Sequence, residues 1–176
     1  KDLFDAAGVS LPTKWEDAEA VAKALTKNGV YGYTASLRRG EYAGAHFSSM
    51  LFSYGGEYWD ADFNPTIDSE PARKAIEIMR ALMAYADPGT VNAGEDDSAQ
   101  AIATGVSAWA PLVWGRSDLT DASKIATAAN IETALPPDGG DHPAAPCLGG
   151  QAYMVASWVE NKEAAAKWIA YATSSE

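Results

Sequence analysis

The chain has 176 residues, room for one domain with its own core. Hydrophobic residues at 47% and charged residues at 21% are the balance of a globular chain and exclude global disorder. The net charge of −11, from 24 Asp and Glu against 13 Lys and Arg, repels phosphate backbones and anionic headgroups and so excludes electrostatic binding to nucleic acid or to a membrane surface.

Helical stretches alternate with short apolar runs, the pattern of an α/β fold. Thr13 and Glu16 have the spacing of a capping box. Trp15, Ala18, Ala22 and Leu25 then recur at helical intervals until Asn28-Gly29. Residues 30–34 read as a strand and 42–53 as a helix stopped by Gly55-Gly56. The segment from Glu57 to Pro65 reads as a turn or hairpin. Its Asp60, Asp62 and Asn64 imitate the start of a calcium loop. Pro65 and Pro71 occupy the positions that need Gly and Glu, so an Asx-rich turn is expected instead of a metal site.

Ser69 caps the strongest helix, with an apolar stripe from Ala72 through Met83 to Tyr85. Glu95-Asp96-Asp97 load the start of a short helix over 99–104 with favourable negative charge. Buried strands are expected over 106–114, 131–135 and 151–157, with a Pro/Gly loop over 136–143. Asn161 caps a final helix carrying Trp168 and Ile169 on one face. Six Trp and eight Tyr are many for this length, and aromatic faces both fill cores and stack on the apolar C–H faces of sugars.

The single cysteine, Cys147, has no partner for a disulfide or a metal and reads as a small core residue. No run of about 20 apolar residues exists, so no membrane insertion by this chain is expected. Only His46 and His142 are available to activate a nucleophile, and no nucleophile elbow or phosphate-binding glycine loop accompanies them. No enzyme activity and no cofactor are expected.

The order of several segments resembles the extracellular solute-binding proteins of ABC importers, the family that includes the maltose-binding protein. The resemblance is carried by Lys1-Asp2-Leu3-Phe4, Leu11-Pro12-Thr13-Lys14-Trp15-Glu16-Asp17 and Gly29-Val30-Tyr31-Gly32-Tyr33. It continues in Ser53-Tyr54-Gly55-Gly56, Thr66-Ile67-Asp68-Ser69-Glu70-Pro71, Ala101-Ile102-Ala103-Thr104-Gly105, Leu148-Gly149-Gly150 and Asn161-Lys162-Glu163-Ala164-Ala165. It implies a lobe of the type II periplasmic-binding-protein fold, a mixed sheet flanked by helices. Residues 1–149 would form the second lobe of a two-lobe protein, and 150–176 would be a strand and helix returning to the first lobe. On this resemblance the chain is expected to be a fragment of its parent.

The implied function is capture of a sugar or polyol between the lobes and its delivery to the transmembrane subunits of an ABC permease. The implied location is periplasmic or extracellular, free or lipid-anchored. A carbohydrate-active hydrolase, or a receptor for a non-sugar solute, is the alternative. Trp114, at the end of the apolar run, is the expected stacking platform, whereas Trp109, five residues earlier, is assigned to the core. Gly149 and Gly150 allow backbone amides to approach hydroxyls closely. Gln151 stands where the family often has an aromatic residue, and its amide is suited to a hydroxyl. His46 and Phe47 fall where the family places cleft residues. Arg116 is suited to hydroxyls, or to a carboxylate if the solute is a sugar acid.

Overall fold

The structure, a computed structural model, describes residues 1–111, 116–147, 149 and 152–174. Among them are six α-helices: α1 (Asp2–Ala7), α2 (Trp15–Leu25), α3 (Glu41–Ser53), α4 (Glu70–Leu82), α5 (Glu95–Ala103) and α6 (Lys162–Ala172). The helix α4 begins as its sequence dictates. The Ser69 Oγ accepts from the Ala72 N–H and Pro71 sits in the first turn, where a missing N–H costs nothing. Its buried residues Ala72, Ala75 and Leu82 face α2 and α3, both of which pack on it.

At the start of α2 the expected capping box does not form. The loop 136–143 does this work through the main chain: the Trp15 N–H donates to the Asp138 carbonyl at 3.0 Å, and the Asp138 N–H to the Thr13 carbonyl at 2.8 Å. The Glu16 carboxylate turns to the Tyr54 hydroxyl, and burial together with this carboxylate raises the Tyr54 phenol above its ordinary value. The end of α2 leads into a tight reversal in which Asn28 and Gly29 both have positive φ, 54° and 82°. The bridge between Lys27 and Val30 closes it.

The expected mixed sheet is reduced to its centre. No extended strand occurs among the described residues; parallel bridges join Tyr31 to Ser107 and Tyr33 to Ala86, so three extended segments run side by side in one direction. The Tyr31 N–H donates to Val106, the Ala108 N–H returns to Tyr31, and the Thr34 N–H donates to Trp109, each at 2.9 Å. The expected strand 131–135 pairs with nothing among the described residues and leaves Leu135 exposed. The same holds for 152–157, where Tyr153 and Met154 face solvent. An isolated strand satisfies no ladder, so without a neighbour the extended segment gains nothing by ordering.

The main core lies between α2, α4 and these extended segments. Trp15, Tyr33, Met50, Leu82 and Trp109 are buried there. Trp15, Tyr33, Trp109 and His46 form an aromatic group with ring centroids 5.7–6.5 Å apart, within the range of favourable edge and tilted contacts. Glycine is required where α2 meets this layer: a Cβ on Gly32 would stand 1.8 Å from the Ala22 carbonyl oxygen. Residues 57–65 form the expected turn. The Trp59–Pro65 bridge closes it, and the Asp60 carboxylate accepts the Asp62 and Asn64 backbone N–H groups, which with the Asn64 side chain hold it below the usual carboxylate range. No helix of the described residues is long and apolar enough to cross a membrane.

Candidate functional site

Because the three central segments are parallel, their carboxyl ends open onto the same edge, and in open α/β folds ligands bind outside that edge. The chain delivers three connections there: 35–40 running into α3, 87–94 running into α5, and the region around Arg116. They are tied together. The Arg38 N–H donates to the Ala93 carbonyl at 2.9 Å. The Ser36 Oγ lies 3.1 Å from both the Gly94 carbonyl and Ser98 Oγ, within hydrogen-bonding distance of each. Arg116 reaches across to Asp96 in the first turn of α5.

Arg116 is the most constrained polar side chain of this edge. Its Nε and Nη2 donate to the two oxygens of Asp118, each at 2.9 Å, and its Nη1 donates to Asp96 Oδ1 at 2.7 Å. Two parallel bonds to one carboxylate fix the plane of the guanidinium. The pairing holds the Asp118 carboxyl below its ordinary range and raises the guanidinium, chiefly through the hydrogen bonds they share. Arg38 stacks over the Tyr42 ring at 4.8 Å and adds a second cationic face. Neither Arg38, Tyr42, Asp96 nor Asp118 stands out in the sequence. Glu95-Asp96-Asp97 read there only as helix-start charges, and Asp118 is one acid among 24.

The expected site residues do not gather in one place. Arg116 lies on the edge. Trp114, Gly150 and Gln151 lie outside the described residues. Gly149 is exposed, and among the described residues nothing lies within 4 Å of where its Cβ would be, so no close backbone approach is seen there.

His46, expected as a cleft residue, sits instead in the core at 2% exposure. Its Nε2 is 2.7 Å from the Tyr33 hydroxyl, and burial lowers its pKa to about 4. The α3 register explains this. Positions 46, 49, 50 and 53 recur at helical spacing and face inward, which takes the imidazole with them. Phe47, one residue on, is only half-buried, packed against the margin of that core. It lines an apolar groove of about 380 Å³ with Leu37, Ile76, Met79, Met83 and Val91. That groove has few groups to bond a hydroxyl, so it suits packing and not the coordination of a polyol.

Comparison with known proteins identifies the family and the fold. The model of the bacterial extracellular solute-binding proteins matches residues 1–176. The chain belongs to this family. A probable amino-acid ABC transporter periplasmic-binding protein of Sinorhizobium fredii is 26% identical over 180 residues, covering 99% of this chain and 40% of the relative. Among solved structures, an ABC transporter solute-binding protein from Agrobacterium radiobacter K84 in complex with ribitol matches with a TM-score of 0.81 at 24% identity, over 99% of this chain and 45% of that one. Another from Agrobacterium vitis S4, with bound D-mannitol, gives 0.77 at 25% identity, over 99% and 44%. A third, from Thermotoga lettingae TMO with α-D-tagatose, gives 0.74 at 28%, over 99% and 46%. The fold is that of periplasmic-binding proteins, and the chain spans less than half the length of these relatives.

Proposed function

We propose that this solute-binding chain is the second lobe of a two-lobe receptor that captures a sugar or polyol and presents it to the transmembrane subunits of an ABC permease. In this reading residues 1–149 form the lobe, 150–176 cross to the first lobe, and the strands left unpaired here complete a mixed sheet with it. The observation that carries the proposal is the carboxyl edge of the parallel segments. Guanidinium donors and an exposed carboxylate acceptor lie side by side there, and a polyol needs that mixture, since each hydroxyl both donates and accepts.

Arg116 is the contact proposed on that edge, with Trp114 as stacking platform and Gly149, Gly150 and Gln151 as backbone and amide contacts at the crossing. Lobe closure over the solute is the signal to the permease, and no chemistry on the solute is involved. The protein works in the periplasm or outside the cell, free or lipid-anchored. The relative from S. fredii favours a second reading, an amino acid as the solute.

Titration of the two-lobe protein with ribitol, D-mannitol, D-tagatose, maltose and a set of amino acids, followed by tryptophan fluorescence, separates the two. Saturable binding of one carbohydrate, weakened on the order of tenfold or more by Trp114→Ala, is expected. Saturation by an amino acid alone would establish the second reading.

A further inference from the structure

We propose that Asp96 and Asp118 set the charge selectivity of the ligand edge: by occupying Arg116 they close it to carboxylate-bearing solutes and leave it to uncharged polyhydroxy ones. This rests on the receptor reading above. An arginine that captures a solute carboxylate presents two parallel N–H groups from one side of its fork. In Arg116 the Nε and Nη2 side is already filled by Asp118, and Nη1 is bonded to Asp96. Among the described residues, carboxylates therefore take three of the five guanidinium N–H groups.

The charges around it point the same way. One guanidinium faces two carboxylates directly, and Glu95 and Asp97 flank Asp96 in the same helical turn. The start of α5, which would otherwise attract an anion, is occupied by its own chain: Asp97 Oδ2 accepts the Gly94 N–H at 2.8 Å. Two further cations belong to this edge: Arg38 lies over Tyr42 and against Gly94, and Arg39 beside it is exposed. A carboxylate arriving at Arg116 meets the like charge of Asp96 and Asp118. A hydroxyl meets complementary groups instead, because the Asp96 carboxylate, 98% exposed, accepts its proton while the remaining guanidinium N–H groups donate to its oxygen.

The test is calorimetric titration of the two-lobe protein with D-mannitol and ribitol and with the matching acids, D-mannonate and D-ribonate. The wild type is expected to favour the neutral member on the order of 100-fold. Asp96→Asn with Asp118→Asn is expected to narrow that ratio about tenfold or more, through tighter acid binding. Asp96→Asn alone changes only an exposed side chain, so it tests the same point should the double variant fail to fold. Its expected narrowing is about threefold.

A neutral solute that binds with an unchanged ratio in both variants overturns the inference and leaves the receptor reading standing. A wild type that prefers the acids overturns it as well. Binding of none of these, nor of D-tagatose or maltose, overturns the sugar-receptor reading itself, and this inference with it.

Discussion

The core around Trp15 and the C-terminal segment 152–174 were built from similar materials and met different fates. Both carry helices begun by a side-chain cap: Ser69 Oγ accepts from Ala72, and Asn161 Oδ1 accepts from Ala164. Both are rich in aromatic residues. In the core, Trp15, Tyr33 and Trp109 are buried against one another, whereas Trp158, Trp168 and Tyr171 stand in solvent and α6 buries no residue. A local signal starts a helix, and only a facing surface makes that helix count towards global stability. This chain holds such a surface for α2 and α4; in the receptor proposed above, the first lobe supplies the one for α6.

This contrast predicts where substitutions register. The largest effect is expected for Trp15→Ala, which empties the aromatic group and costs about 3–5 kcal/mol in urea unfolding of the chain. Trp168→Ala on the exposed face of α6 should stay within about 0.5 kcal/mol in the same experiment. In the two-lobe protein it should cost several times more, and an equally small effect there would break the comparison.

The next effect is one of pH. Unfolding exposes His46, whose pKa returns from about 4 to its ordinary value near 6.5, so between these values the unfolded chain binds the additional proton. Stability is therefore full above about pH 6.5 and falls as the pH drops towards 4, by up to about 3 kcal/mol. Unfolding midpoints of wild type and His46→Gln across that window check it, the variant losing this part of the slope.

The smallest effect concerns the two caps. Ser69→Ala is expected to lower global stability by about 1 kcal/mol, while Asn161→Ala reduces helical circular dichroism and leaves the unfolding midpoint of this chain in place.

Much of the fold was legible because its signals are local. The stripe of Ala72, Ala75 and Leu82, the Ser69 cap, the Asn28-Gly29 reversal and the turn around Asp60 each depend on residues within a few positions, and each lies where the spacing predicts. Strands over 131–135 and 151–157 were not legible in the same way. An apolar run proposes a strand, but pairing needs a neighbour that the run does not encode. The α3 register likewise separates His46 from Phe47, sending one to the core and the other to a surface groove.

The sequence by itself determined the family and the capped starts of α4 and α6, since these follow from motif order and from residues a few positions apart. Only the tertiary structure decided which charged groups form the edge. Arg116 meets Asp96 from twenty positions away because parallel segments bring their carboxyl ends together, and long-range juxtaposition of that kind leaves no periodic trace in the chain.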